Sequence, residues 1–235
     1  MQTNILITGV GHGIGSSLAY YLNEQGFHLF LSSRGDTVES VASKIGCHSW
    51  KADLNNYKEC EKVVEVAKEA MGSLDGVVNV AGNYFSTTEI EEYPEDTFQE
   101  ALLNNARTFY NMARASVPVM KKQGFGAIIG FAAADNVLLN SNPGYAAGKG
   151  AVHSMIRELS KELIPYNITV NGVAPGFIEK DFVDQGVPQK LGTPGRYPPS
   201  GVNRAVEFLL LSELITGQII NVAGGHNLNI GSGTK

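Results

Sequence analysis

Residues Asn4 to Gly15 read NILITGVGHGIG, a short aliphatic run that closes on a threonine and a cluster of glycines. The run Ile5–Thr8 has strand length, and the residues after Gly13 take on helical spacing, with Ile14, Leu18, Tyr21 and Leu22 recurring along Gly13–Gln25. Gly9, Gly13 and Gly15 therefore fall where a strand turns into a helix. A missing β-carbon at such places permits a tight turn, admits a phosphate to the backbone and lets helix and strand pack closely. The new helix presents unpaired N–H groups and the positive end of its dipole. The stretch reads as a cradle for a nucleotide phosphate.

The same alternation continues outward. Further strands are expected at Leu29–Ser32, His48–Lys51, Gly76–Asn79, Ala127–Phe131, Ile168–Val173 and Gln218–Val222. Helices are expected at Asn56–Met71, Glu95–Lys122, Pro143–Leu163 and Val202–Leu211, the second entered through Pro94 and bent late by Pro118. Runs such as Val77–Val80 and AIIGF are apolar on both faces, the mark of a parallel sheet covered by helices on each side. The expectation is one α/β domain over residues 1–235, a doubly wound parallel sheet of about seven strands. Residues 177–200 depart from the pattern. They are rich in proline, glycine and polar residues, and a loop of that kind is expected to be a substrate lid.

Composition narrows the function. Of the 235 residues, 43% are hydrophobic and 17% charged, which is globular. A net charge of −5 is wrong for a general nucleic-acid binder. No apolar stretch is long enough to cross a bilayer, and Met1 leads almost directly into the first strand, leaving no room for a signal peptide. A cytoplasmic protein is expected. Cys47 and Cys60 form no CxxC pair, and the five histidines have no zinc-like spacing, so free thiols and no metal are expected.

Two further stretches carry chemistry. The second strand ends LFLSSRGD. No acid stands at Ser32 or Ser33 to accept from a ribose 2′-hydroxyl, and Asp36 lies past the turn. Arg34 stands there instead, and a guanidinium suits a 2′-phosphate, with His12 a second donor. NADP(H) is expected ahead of NAD(H). In GYAAGKGA, Tyr145 and Lys149 lie one helical turn apart on one face. An ammonium beside a phenol favours the phenolate and eases proton transfer.

These motifs together resemble the short-chain dehydrogenase/reductase family, ketoacyl reductases in particular, over nearly the whole chain. TGVGHGIG resembles its cofactor loop and KADL, with Asp53, its adenine-contacting acid. VNVAG resembles the NNAG strand end, Tyr145 and Lys149 its YxxxK pair, VAPG its turn beside the nicotinamide, and TGQIINVAGG its closing strand. Asn104 in LLNNARTF is matched to the helix asparagine. The resemblance implies a Rossmann-type fold and hydride transfer between a nicotinamide and a carbonyl or alcohol substrate. Tyr145 would move the oxygen's proton, Lys149 would hold the nicotinamide ribose, and Asn104 would anchor a water. The cofactor set it implies is Gly9, His12, Gly13, Ile14, Gly15, Ser33, Arg34, Asp53, Leu54, Asn79, Ala81, Gly82, Tyr145, Lys149, Pro175, Gly176 and Ile178. It also implies a homodimer or homotetramer through the Glu95–Lys122 and Pro143–Leu163 helices.

The chain departs from the family in two places. Where a serine normally polarises the substrate oxygen, Ala132 and Ala133 stand, and neither can donate. Asn136 and Ser141 follow in the next loop, where turn roles are expected of both. Lys180 occupies the place of a threonine that bonds the carboxamide. The missing serine admits an alternative, a weak or silent family member that binds NADP(H) as a sensor or scaffold. Tyr84, Phe85, Phe177, Phe182 and Tyr197 are candidates to line an apolar substrate pocket.

Overall fold

A computed structural model describes residues 3–84, 89–179, 191–192 and 195–228. Seven strands form one sheet in the order β3-β2-β1-β4-β5-β6-β7. They are β1 (Asn4–Thr8), β2 (His28–Ser33), β3 (His48–Lys51), β4 (Gly76–Asn79), β5 (Gly126–Phe131), β6 (Ile168–Pro175) and β7 (Ile219–Val222). All six pairings are parallel. The helices are α1 (Ile14–Glu24), α2 (Thr37–Ile45), α3 (Tyr57–Met71), α4 (Glu95–Gln123), α5 (Asp135–Leu138), α6 (Pro143–Leu163) and α7 (Ser200–Leu210).

The doubly apolar strands are explained by two separate cores. Leu6, Phe30, Val77, Ile128 and Val170 pack against α3, α4 and α6 on one face. Their chain neighbours Ile5, Ile7, Leu29, Leu31, Val78 and Ile129 pack against α1, α2 and α7 on the other. Successive side chains of a strand point to opposite faces, so both faces need apolar residues.

Chain order reverses at β1, whose neighbours β2 and β4 are reached by crossovers in opposite directions. A crevice opens beyond the carboxyl ends of the strands at such a switch point. Strand existence and order of elements agree with the sequence reading, with ends shifted by a residue or two. The helix α2 was not expected. Its apolar face is short (Val38, Val41, Ala42 and Ile45), and it stops at Gly46, which takes a left-handed φ of 75°. Helix α4 runs on through Pro118, held by Phe109, Met112, Ala113 and Met120 in the core. The expected lid lies largely outside the described residues, as do Phe85, Lys180 and Phe182. No helix among the described residues is long and apolar enough to cross a membrane.

Candidate active site

The glycine turn follows β1. Gly9 has φ 74°, and a β-carbon there would overlap the backbone nitrogen of Ala81. Strands β1 and β4 can therefore meet at their ends only if this residue is glycine. A β-carbon on Gly15 would likewise overlap the Gly9 carbonyl. Gly13 is the N-cap of α1. No side chain caps that helix, and its first turn holds no acidic residue. An anion would meet free N–H groups there without a competing carboxylate.

Two adjoining cavities occupy the crevice. The smaller, about 220 Å³, is lined by Ser33, Arg34, Asp53, Leu54, Ala81 and Asn104. The larger, about 620 Å³, is lined by Gly13, Ile14, Gly15, Tyr145, Lys149, Pro175, Gly176 and Ile178 among others. Gly9, His12, Val80, Gly82 and Asn83 line both, which makes one two-lobed trough. Asn79 lines neither lobe. It is buried in β4, where its Oδ1 accepts from the Thr8 hydroxyl at 2.7 Å and ties two strand ends together.

In the smaller lobe Arg34 is exposed at the rim. Asp36 is not among the residues lining this lobe, and its carboxylate pairs with Lys51 at 2.6 Å. That hydrogen bond holds the Asp36 carboxyl below its ordinary value. Asn55 donates to Asn104 at 2.7 Å, and its own Oδ1 is buried without a partner.

In the larger lobe α6 supplies both chemical side chains. Asn142 caps this helix, its side chain accepting from the Tyr145 backbone N–H at 2.8 Å, and Pro143 fixes the first turn. The cap sets the turn on which Tyr145 faces the trough. Lys149 is buried, and its ammonium donates to the Phe131 carbonyl at 2.9 Å. Burial pulls its pKa down to about 8. The ammonium lies 5.8 Å from the centre of the Tyr145 ring. Burial pushes the Tyr145 phenol up from its ordinary value, and the Tyr84 phenol adds to the rise. This reverses the expectation drawn from the tyrosine–lysine spacing. Lys149 is committed to a carbonyl, so desolvation of the phenol goes uncompensated.

The asparagine matched from sequence does not join them. The Asn104 side chain faces Asn55 and Glu100 and lines only the smaller lobe. Asn105, one residue on, lines the lobe that holds Tyr145 and Lys149. It donates to the carbonyls of Asn83 and Ala101 at 3.0 and 2.8 Å, and its Oδ1 is buried without a partner. A β-carbon on Gly82 would stand 2.5 Å from that oxygen and 3.2 Å from the Lys149 ammonium. Asn105 is buried on α4 with Ala101, Thr108 and Met112 while Asn104 is only partly buried, a difference that spacing in the sequence does not announce.

Ala132 and Ala133 both line the larger lobe, so the donor gap is real. Ser141 donates back to Leu138, and Asn136 is bonded to His226, so neither side chain fills it. Of the aromatic candidates, Tyr84 and Phe177 line the lobe, whereas Tyr197 is buried in the core under it. Cys60 and Cys47 are free, and burial pushes their thiols up to about 12 and about 11.

The model of the short chain dehydrogenase family matches residues 3–190. The chain belongs to the short-chain dehydrogenase/reductase family. A relative from this family, the 3-oxoacyl-[acyl-carrier-protein] reductase of Rickettsia felis, is 33% identical over 237 residues, covering 94% of this chain and 95% of that one. An uncharacterized oxidoreductase of Staphylococcus aureus strain N315 is 31% identical over 179 residues, covering 74% and 77%. Among solved structures, a putative 3-oxoacyl-reductase from Bacillus thuringiensis superposes with a TM-score of 0.83 at 28% identity, covering 95% and 98%. Levodione reductase reaches 0.86 at 21% identity, covering 97% and 100%, a likeness of fold. Short-chain dehydrogenases are oxidoreductases that use nicotinamide dinucleotides, and the trough fits one. It offers a phosphate cradle at one helix end, a glycine at position 82 where any side chain would intrude, and two orphaned amide oxygens, one in each lobe.

Proposed function

We propose that the protein is an NADP(H)-dependent oxidoreductase that interconverts a carbonyl and an alcohol, with Tyr145 as acid and base. One observation carries the reading. Tyr145 and Lys149 stand in one lobe of a trough whose other lobe holds Asp53 and Arg34, with Gly9 of the glycine turn lining both. In this reading Asp53 and Leu54 hold the adenine, and Arg34, Ser33 and His12 hold the 2′-phosphate. The N-terminus of α1 takes the pyrophosphate, and Pro175, Gly176 and Ile178 flank the nicotinamide. When bound, the nicotinamide supplies or accepts hydride.

The rest is done by the chain. Tyr145, kept protonated by burial, gives its proton to the developing alkoxide, which is the stronger base. Lys149 holds a positive charge near the phenolate left behind. Asn105 fixes the β4 end against α4 beside that ammonium. The protein is proposed to act in the cytoplasm on a small carbonyl or alcohol compound, as a homodimer or homotetramer through α4 and α6. Tyr110, half exposed on α4, faces outward for such a contact.

The test is NADPH absorbance with a panel of ketones, quinones and acyl compounds. Turnover is expected in the unaltered protein, and a loss of about a hundredfold or more in Tyr145→Phe. No oxidation above the Tyr145→Phe control in any member of the panel counts against the reading. The alanines at 132 and 133 favour a second one, a silent NADP(H)-binding sensor or scaffold. Calorimetric binding of NADP(H) without turnover is the result that distinguishes it.

A further inference from the structure

Among the described residues lining the larger lobe, two carry a hydroxyl, Tyr145 and Tyr84. The acid–base reading uses only the first. Tyr84 follows β4 by a few residues, and its ring meets the Tyr145 ring edge-on, with centroids 5.3 Å apart and planes at 72°. Its hydroxyl donates to the Asn140 carbonyl at 2.6 Å. The two phenols also sense each other electrically, since Tyr84 contributes to the rise of Tyr145.

The other donors of that lobe already have partners in the fold. Lys149 gives one N–H to Phe131 and Arg196 one to Ile178, and Asn105 donates to Asn83 and Ala101. His12 and Asn83 line the junction with the smaller lobe. Ala132 and Ala133 offer nothing.

We propose that Tyr84 donates a hydrogen bond to the substrate's carbonyl oxygen, in place of the serine hydroxyl absent at Ala132 and Ala133. The assignment rests on the carbonyl-reductase reading of the same site. The switch asks little of the protein. Asn140 lies in an exposed turn, where water can take over its carbonyl, so a hydrogen bond is exchanged and not lost. The phenolic hydrogen turns about the C–O bond while the ring stays packed on Tyr145. As hydride reaches the carbonyl carbon, the π pair moves onto oxygen and takes the Tyr145 proton. Tyr84 keeps its own proton, and the Tyr145 phenolate is reprotonated from solvent. Charge on the oxygen is thus met by two phenols, of which one transfers and one only stabilises. A substrate must then bring its carbonyl oxygen between two aromatic edges, which suits a ketone flanked by a flat or unbranched group.

The test compares the unaltered protein with Tyr84→Phe, Tyr145→Phe and Tyr84→Phe/Ala132→Ser, using NADPH with ethyl acetoacetate and acetophenone as probes. Tyr84→Phe keeps the ring contact and is expected to lower kcat by about a hundredfold. NADPH affinity by calorimetry is expected to stay the same, and Ala132→Ser to restore part of the rate. A second measurement needs no cofactor. The carbonyl carbon resonance of labelled acetophenone is expected to move downfield on binding the unaltered protein, and by less on binding Tyr84→Phe. Undiminished kcat in Tyr84→Phe, or an equal carbonyl shift in both proteins, overturns the role of Tyr84 and leaves Tyr145 in place. No turnover above Tyr145→Phe in the unaltered protein overturns the parent reading and this one with it.

Discussion

The Lys149 ammonium donates to the carbonyl of Phe131 at 2.9 Å, not to the Tyr145 phenol one helical turn away. A buried cation with one neutral acceptor is under strain of charge, and its pKa of about 8 against an ordinary 10.5 records it. Below about pH 8 both folded and unfolded chains carry this proton, and the folded protein bears the full cost of burying it, on the order of 3 kcal/mol. Between about 8 and 10.5 the folded protein sheds the proton while the unfolded chain still holds it. Stability from this group therefore rises with pH across that window. Denaturant unfolding of the cofactor-free protein and of Lys149→Met is expected to show it. The difference between them should move in the unaltered protein's favour by up to about 3 kcal/mol from about pH 7 to about pH 10.5. A difference that stays flat would mean that Lys149 is not desolvated.

Arg34 gives the cofactor preference a direct test. It lines the smaller lobe with Ser33 and His12, and Asp36, two residues on, is paired with Lys51 outside that lining. A guanidinium bonded to a phosphate contributes about 1.5–3 kcal/mol. Arg34→Ala is expected to weaken NADPH binding by about tenfold to a hundredfold and to leave NADH binding nearly unchanged, by calorimetry of both. Equal losses for the two cofactors would remove the 2′-phosphate from this site.

Much of this site was legible from sequence, and the failures have physical causes. Strands β1, β4 and β5 were readable because they are apolar on both faces and bounded by turn residues, whereas the edge strand β3, HSWK, is largely exposed. The shared placement of Tyr145, Lys149 and Gly9 in one lobe was readable because it depends on local spacing: one helical turn, one tight bend. Helix α2 was missed although Val38, Val41, Ala42 and Ile45 repeat at helical spacing, because nine residues give the pattern only two turns to show itself. Sequence matching put Asn104 with Tyr145 and Lys149, whereas Asn105 lines their lobe, because two adjacent asparagines differ only in which side of α4 they face. That depends on how α4 packs against α6 and the β4 end, which no local pattern states. The rise in Tyr145 acidity expected from Lys149 failed for a similar reason. Spacing puts the two on one face, but the Phe131 carbonyl, distant in sequence, claims the ammonium.

Gly9 carries a backbone prediction. Its φ of 74° costs an L-residue about 1 kcal/mol or more, and a β-carbon would run into the Ala81 backbone. Gly9→Ala is expected to lower the unfolding free energy by about 1–3 kcal/mol, by denaturant titration, and to weaken NADPH binding in the folded remainder. Gly11, whose β-carbon would meet nothing within 4 Å, is the matched control. Gly11→Ala is expected to keep the stability of the unaltered protein. Equal effects at the two positions would mean that the turn is not held as described.

The neighbouring asparagines of α4 should separate cleanly. Asn104 faces the smaller lobe, with Asn55 and Glu100 as partners, and is partly exposed. Asn105 is buried, with its amide nitrogen shared between Asn83 and Ala101. Asn104→Ala removes two polar contacts, to Asn55 and Glu100, beside the smaller lobe. It is expected to raise KM for NADPH by about threefold to tenfold with kcat nearly unchanged. Asn105→Ala frees the β4 end from α4 and leaves the Asn83 carbonyl without its donor. It is expected to lower kcat by about tenfold or more and to cost about 1–3 kcal/mol of stability. Asn105→Asp separates geometry from charge. An anion placed beside the buried Lys149 ammonium should raise the pH at which that lysine loses its proton, and the alkaline limb of the pH–rate profile should move up with it. Should Asn104→Ala instead carry the loss of kcat, the helix face assigned to the reacting lobe would be wrong.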